Sequence, residues 1–521
     1  MTTKQTTRKR PASTLVHVET DRTPRRVAFW NRRTGYIQSD RGPGGRLSGI
    51  ETPLSVVLSL ITGMKPDDRT RVVYIIGGEH VDSEPATAWW AEPMAHGWGY
   101  DGYEMSATTS DRGHLNAGTY EREGVTVDVR MSARWFPGCD DPCVCVQAWN
   151  HLQTRLRATF GAGAALLATP AATGLDLLAR SLPRAPHGHA PIEWPAAPEA
   201  LQRVLYGNVG QGRMQWCAAL DQLGRTVEQV YSLDGRWMYA SCVSNLPVGT
   251  PTHTEYPRGA DAQEAYLSYV PAWYRVTSWV PQEWGHIGLI PTREDRDTAT
   301  SWPDTPGRCI EDAWLSGAEL AVALSAGWPV VIWERWAYPD YQHTPGSNPA
   351  GEWAKRLRQL RSASQPAAYG DAAEPMAGAL RHLLIDTVGM WHRREGERLR
   401  ITPIAEQRPE GARIHHLDRK RGYVAWYEPV PLSRWATPWQ RPEWSATVWG
   451  KSRAKLHTAA LRLPRRSIID LRNDAIQLTE QPPASCWPDD GQPGTFRVKE
   501  TLAGPFTLTA RGLVKKAKGN A

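Results

Sequence analysis

Two aspartates and an arginine, far apart in the chain, sit in local sequences suited to phosphoryl transfer. The stretch "VYSLDGRWMYASCVSNLPVG" begins as a strand, reaches Asp234, and breaks into a turn carrying Arg236, Trp237 and Tyr239. Further on, "MAGALRHLLIDTVGMWHRR" reads as an apolar helix with Arg381 and His382 set into it, and "SIIDLRNDAIQL" as two short strands about an Asn473-Asp474 turn. Taken singly, each has a plain structural role: Asp234 a turn former, Asp474 a hairpin tip, Arg381 a solvated helix residue. Their order is more specific. Two carboxylates on adjacent strands can hold a pair of divalent ions about 3.5–4 Å apart, and a cation on a helix neutralises an incoming triphosphate.

The elements that would position these residues follow from pattern and punctuation. At 521 residues the chain exceeds one ordinary core. Residues 1–24 are polar and basic and read as a mobile arm. From "RRVAFW" onward, strand-like runs ("VVYIIGG", "VTVDVRM") alternate with apolar helical stretches ("LSVVLSLITGM", "LQTRLRATFGAGAALL"), which predicts an α/β domain over 25–185. The Pro-, His- and Ala-rich "LPRAPHGHAPIEWPAAPEA" closes it, leaving 186–521 as a second region. There, "DAWLSGAELAVALSAGWPVVIWERW" predicts a helix ending at Gly327 and passing into a strand, and "GEWAKRLRQLRSA" a second helix. The tail "RGLVKKAKGNA" is expected to fray.

Composition narrows the partners. The chain carries +7 formal charge with a pI near 9.0, and Arg supplies most of its 61 basic residues. Planar guanidinium groups favour phosphate, so nucleic acid leads among macromolecular partners. No apolar run is long enough to span a membrane, and the N-terminus lacks the apolar segment of a signal peptide, so a soluble, cytoplasmic protein with no membrane partner is expected. Seven Cys make no disulfide framework, and Cys139, Cys143 and Cys145 of "CDDPCVC" lack a local fourth ligand for zinc.

The ordered motifs resemble the family B DNA polymerases, in particular their protein-primed branch of phages and linear plasmids. "DGRWMYAS" is similar to that family's D-x-x-S-L-Y-P-S, and the "NLPVG" after it also matches the branch. "RHLLIDTVG" stands for K-x-x-x-N-S-x-Y-G, keeping Arg381 at the Lys and Gly389 at the Gly, while Ile385, Asp386 and Val388 replace Asn, Ser and Tyr. "RNDA" aligns Asp474 with the second Asp of D-T-D-S and puts Arg472 at the first. "GQGR" (Gly212, Arg213) is similar to a template-contacting glycine-rich element, and "GTFRVKE" to the segment whose Lys, here Lys499, reaches the primer end. The likeness spans about 205–510.

The resemblance implies a multidomain α/β and α+β chain: a degenerate, RNase H-like exonuclease-type domain, then palm, fingers and thumb. It implies Asp234 and Asp474 as catalytic ligands of two Mg²⁺ or Mn²⁺ ions, Tyr239 as the gate against a ribose 2′-hydroxyl, and Arg381 and Gly389 at the nucleotide. Gly212, Arg213 and Lys499 fall to DNA. The partners implied are primer–template DNA, dNTPs and a terminal protein primer, in the replication of a phage, plasmid or mobile element. Where a proofreading D-x-E is expected the chain has "VAFWNRRTG", without a carboxylate, and Asp101 in "HGWGYDGYE" is a single Asp, so no proofreading is expected. Two other readings stand beside this one: a polymerase-derived DNA-binding protein without chemistry, favoured by Arg472, and a Trp-rich carbohydrate-binding or structural phage protein, favoured by the 25 Trp.

Overall fold

In the computed structural model, residues 26–31, 33–40, 44–46, 72–76, 99–103, 118–122, 125–182, 194–209, 215–217, 224–292, 302–344, 347–394, 396–403, 413–418, 423–430, 437–472, 474–483, 492–509 and 512–515 are described. They form two compact units, Met1–Ser181 with Lys355–Trp439 and Leu182–Ala354 with Gln440–Ala521. The basic arm and the helix expected in "LSVVLSLITGM" lie outside the described residues.

The first unit is built on a mixed ten-stranded sheet. Its strands are β1 (Val27–Asn31), β2 (Tyr36–Ser39), β3 (Gly45–Arg46), β4 (Val72–Ile76), β5 (Gly99–Tyr103), β6 (Gly118–Arg122) and β7 (Val125–Met131), with β14 (Gly396–Pro403), β15 (Arg413–Asp418) and β16 (Tyr423–Val430) from later in the chain. They lie in the order β15-β16-β14-β5-β6-β7-β4-β1-β2-β3. β1 runs parallel to β4, and β4 to β7, while β1, β2 and β3 are antiparallel, the order of an RNase H-like sheet. Every residue of β1 and β4 is buried, as strands covered on both faces require. Helix α1 (Pro142–Phe160) supplies part of the cover: Trp149 packs on Phe29 and Tyr74, whose rings stack 5.0 Å apart. Asp141 caps α1 through Cys143 N at 2.7 Å, with Pro142 at the first helical position.

The region after residue 186 does not fold as one piece. β14 pairs with β5, and α5 (Ala373–Trp391) packs on α2 (Pro170–Ser181), so residues 355–439 belong to the first unit. The chain crosses over inside the helix Gly351–Ala363, whose Arg356 reaches the Thr159 carbonyl at 3.4 Å. Gly174 makes the α2–α5 approach possible: a Cβ there would overlap Thr387 Oγ1 and the Leu383 carbonyl. Gly174→Ala is accordingly expected to destabilise this unit by about 1–3 kcal/mol, despite alanine's helix preference of ~1 kcal/mol. The denaturant midpoint of the variant checks it.

The second unit contains two antiparallel sheets. One has the order β10-β13-β11-β12, from β10 (Thr252–Asp261), β11 (Ala272–Trp279), β12 (Cys309–Ser316) and β13 (Val330–Ala337). The other has the order β20-β19-β9-β18-β17-β8, from β8 (Gln215–Cys217), β9 (Thr226–Gly235), β17 (Ile468–Arg472), β18 (Ala475–Leu478), β19 (Phe496–Thr509) and β20 (Gly512–Lys515). Val227, Val230, Ile469, Phe506 and Leu508 form a core on it. The expected fraying of the tail is corrected in part: Gly512–Lys515 pairs antiparallel with β19, Gly512 opposite Thr509 and Lys515 opposite Phe506, so its backbone is held by the ladder.

Helix α6 (Pro442–Ala460) is buried nearly all round, packed against α3 (Gly317–Ser325). Its polar residues therefore need partners. Arg453 donates to the fully buried Glu319, Nε to Oε1 at 2.6 Å and Nη2 to Oε2 at 3.1 Å, and Oε2 also accepts from Ser316 N and Oγ. Burial opposes ionisation of Glu319, but Arg453 and Ser316 overcome it and hold the carboxyl below its usual range.

His457 has no such partner. It is fully buried, neither ring nitrogen is hydrogen-bonded, and its ring meets Trp302 edge-on at 4.7 Å. Burial above all, opposed by Glu319 and reinforced by Arg453, brings its pKa down to about 4. In the unfolded chain it titrates near 6.5, so between these values the unfolded state binds more protons. Its contribution is therefore complete above pH 6.5 and is lost as pH falls toward 4, by about 2–3 kcal/mol. His457→Phe, which keeps the ring contact, is expected to flatten that part of the acid slope in denaturation series at pH 7 and 4.5.

Candidate active site

Strand β9 is long enough to cross its sheet, and its apolar residues anchor it, so its last residues emerge at one end with a defined register. Asp234 is its penultimate residue and is half-buried. On one side Asp234 pairs with Ala475 of β18, and on the other with Arg497 of β19. In the β17–β18 register Arg472 stands opposite Ala475, and Asp474 lies in the turn that enters β18. Gly235 N donates to the Asp474 carbonyl at 2.9 Å, which ties that turn to the residue after Asp234. The structure thus brings Asp474, in the turn that enters β18, next to the end of β9 that carries Asp234.

Beyond Gly235 the chain turns sharply. Trp237 takes φ of +46°, a left-handed conformation costly for a bulky residue, and its buried side chain anchors the turn. Tyr239 follows in a single turn of 3₁₀ helix, Tyr239–Ser241, half-buried. The turn is held by the segment entering β19: Arg236 N donates to the Thr495 carbonyl at 2.7 Å, and Gly494 N to the Arg236 carbonyl at 2.6 Å. Lys499 is exposed and is the extra residue of a bulge, since Val498 opposes Leu233 and Glu500 opposes Ser232. Bulges of this kind re-aim a side chain.

Three residues here escaped the sequence reading. Arg497 stands directly across from Asp234, legible only once β19 and β9 are registered. Lys451 and Lys455 project from α6: Lys455 Nζ donates to Ser241 Oγ at 2.7 Å, and Lys451 Nζ to the Ser244 carbonyl at 2.6 Å. Burial brings Lys451 down to about 8. Their i, i+4 spacing on a helix otherwise buried was the available signal, because a charge on such a helix needs a partner.

The Asp234 carboxylate makes no hydrogen bond or ion pair among the described residues. Nor do the described residues include a cluster of three or more His, Cys, Asp and Glu able to hold a metal. A pair of carboxylates is nonetheless a fitting donor set for Mg²⁺ or Mn²⁺. Such ions are commonly bound through one or two carboxylates, with water and substrate phosphate completing the shell. Arg472 contributes its main chain to β17, while its side chain, Asn473, Gly212 and Arg213 lie outside the described residues. Arg381, half-buried, and Gly389, exposed, stand on α5 in the first unit, whereas the aspartates are in the second.

At the end of β1, where an exonuclease carboxylate was sought, Trp30 is buried and Asn31 is committed to the following turn. Asn31 Oδ1 accepts from Arg33 N and Thr34 N, and its Nδ2 donates to the Asp140 carbonyl at 2.6 Å. Asp128 of β7 is level with the opposite end of β1, through Val72 and Val27, roughly 13 Å along the strand. Asp101 lies in β5.

No family model and no curated protein matches the chain. Among solved structures it is similar to phi29 DNA polymerase complexed with primer-template DNA and incoming nucleotide substrates, at 12% identity, covering 92% of this chain and 85% of that one with a TM-score of 0.54. It is similar also to the same polymerase complexed with single-stranded DNA, at 12% identity over 95% and 90% of the two chains, TM-score 0.53. The chain therefore has the multidomain fold of that polymerase. Among the described residues no helix is long and apolar enough to cross a membrane.

Proposed function

We propose that the chain is a DNA-directed DNA polymerase of the protein-primed family B type, acting in the bacterial cytoplasm to replicate a phage, plasmid or mobile element. The observation that carries this reading is the placement of Asp234, near the end of β9, beside the turn that holds Asp474, whose carbonyl accepts from Gly235 N, at one end of the six-stranded sheet within a polymerase fold. Its partners are primer–template DNA, dNTPs and a terminal protein whose hydroxyl starts synthesis.

In this reading a primer hydroxyl attacks the α-phosphate of the incoming nucleotide, a new P–O bond forms, and pyrophosphate leaves. Asp234 and Asp474 hold two Mg²⁺ or Mn²⁺ ions, which when bound supply charge stabilisation at the attacking and leaving oxygens. Tyr239 lies against the sugar and excludes a 2′-hydroxyl, and the strained Trp237 turn with Lys455 keeps it in place. Arg497 adds a cation beside Asp234. Arg381 and Gly389 meet the nucleotide, Lys499 the primer end, and Gly212 and Arg213 the template. Residues 25–185 act as a scaffold for DNA without proofreading: Asn31 stands where a carboxylate would be needed, its Oδ1 engaged by Arg33 N and Thr34 N and its Nδ2 by the Asp140 carbonyl. Residues 186–521 carry synthesis, and 1–24 a basic arm.

Extension of a labelled primer–template by the parent protein with dNTPs and Mg²⁺ or Mn²⁺ is the test, with a serine-bearing protein primer in parallel. Extension with dNTPs and its failure with ribonucleotides supports the reading. DNA bound in a gel but extended from neither primer overturns it, in favour of a polymerase-derived DNA-binding protein.

A further inference from the structure

The cysteines of "CDDPCVC" have no part in the site above, yet two of them are placed for chemistry. Cys139 lies in the turn before α1, half-buried, and Cys145 is fully buried within the helix. The Cys145 thiol points at Cys139, sulfur to sulfur 3.4 Å, and the two are not bonded. A disulfide is about 2.05 Å long, so the gap is a little over an ångström. Cys145 is set in the helix, with Sγ also 3.9 Å from Ser132 Oγ. Cys139 follows Gly138, at φ +76°, in the turn before α1, where its N donates to the Phe136 carbonyl at 3.2 Å. Cys143 points elsewhere, toward Tyr36 Oη and Gln38 Oε1, each at 3.8 Å.

We propose that Cys139 and Cys145 form a redox-active dithiol, a modification site at which a hydroperoxide drives closure of a disulfide between the turn and α1. The Cys139 sulfur attacks a peroxide oxygen, the O–O bond breaks, and a sulfenic acid forms as hydroxide or alkoxide leaves. The Cys145 sulfur then attacks the Cys139 sulfur; the S–S bond forms, the S–O bond breaks, and the Cys145 proton leaves with the hydroxide as water. With hydrogen peroxide, two thiols and one peroxide give one disulfide and two waters. The order of attack follows from the environments. Cys139 is half-buried and within reach of the oxidant, and the hydrogen bond from Cys145 lowers its pKa against the opposing effect of burial, which favours its thiolate as the attacking group. Cys145 is held far above the usual range by its contact with Cys139 and by burial, which makes it the resolving thiol. The bond would fasten the loop whose Asp140 carbonyl receives Asn31, and the proposal is independent of the polymerase reading.

The test exposes the full-length protein to hydrogen peroxide, denatures it, alkylates free thiols, and reads the tryptic peptide Trp135–Arg155 by mass spectrometry. The expected peptide is two hydrogens lighter and carries one alkyl group, at Cys143; after dithiothreitol and a second alkylation it gains two more, for three in all. Cys145→Ser is expected to leave Cys139 as a sulfenic acid trapped by dimedone, and Cys143→Ser to leave the bond intact. Phenylarsine oxide, which bridges two close thiols, is expected to protect Cys139 and Cys145 together in the untreated parent, a readout that needs no variant to fold. Three alkylated cysteines after peroxide, a bond to Cys143, or a dimedone adduct on Cys139 that persists in the parent would each overturn the proposal.

Discussion

Asp234→Asn and Asp474→Asn are each expected to lower primer extension about a thousandfold or more. Either change removes a negative charge from the donor set that is proposed to hold the ions. Stabilisation of transition-state charge by bound metal is worth several kcal/mol, and about 4 kcal/mol corresponds to that factor. The fold should hardly notice. Asp234 is half-buried and its carboxylate makes no hydrogen bond or ion pair among the described residues, so its replacement by an isosteric amide is expected to shift stability by less than about 0.5 kcal/mol. The double variant should be little worse than either single one, because groups acting as a unit are strongly non-additive. Single-turnover extension across a Mg²⁺ and Mn²⁺ titration, with denaturant midpoints alongside, separates these effects. Undiminished extension by either variant would remove that aspartate from the site.

Arg453→Met is expected to destabilise the second unit by about 3–5 kcal/mol. Glu319 is fully buried, and without Arg453 its charge would keep, among the described residues, the Ser316 N and Oγ donors. Glu319→Leu with Arg453→Met should cost far less than Arg453→Met alone, since two buried charges are replaced by apolar groups of similar size. The geometry constrains the result further: Gly450 lets α6 approach α3 so closely that a Cβ there would meet Ser316 Oγ and lie 3.2 Å from Glu319 Oε2. Chemical denaturation of the single and double variants gives the coupling directly. Equal losses in the Arg453→Met and double variants would mean that packing, and not charge, sets the cost.

Much of the local structure was legible in residue pattern. The helix expected in "GEWAKRLRQLRSA" is Gly351–Ala363, and the left-handed Gly327, φ +78°, does close the passage from α3 to β13. "SIIDLRNDAIQL" folds as the antiparallel β17–β18 pair, with Ile476 and Leu478 of β18 buried and Ala475 and Gln477 half-buried, the alternation of a one-faced strand. "LQTRLRATFGAGAALL" was legible only in part: the helix stops at Phe160, where Gly161 takes φ of +99°.

By itself the sequence determined the chemical alphabet of the site and its order along the chain: a strand ending in Asp234, a helix bearing Arg381, a hairpin tipped by Asp474. Periodicity and turn residues specify such elements because they act over a few neighbouring residues. What only the tertiary structure decided is which distant residues meet. Arg497 came to face Asp234 through the β19–β9 register, whose buried side carries Val227, Val230, Phe506 and Leu508. Lys455 reached Ser241 because α6 packs where it does, and residues 355–439 joined the first unit because β14 found an edge at β5. These pairings rest on long-range ladders and helix contacts, whose partners no local window contains.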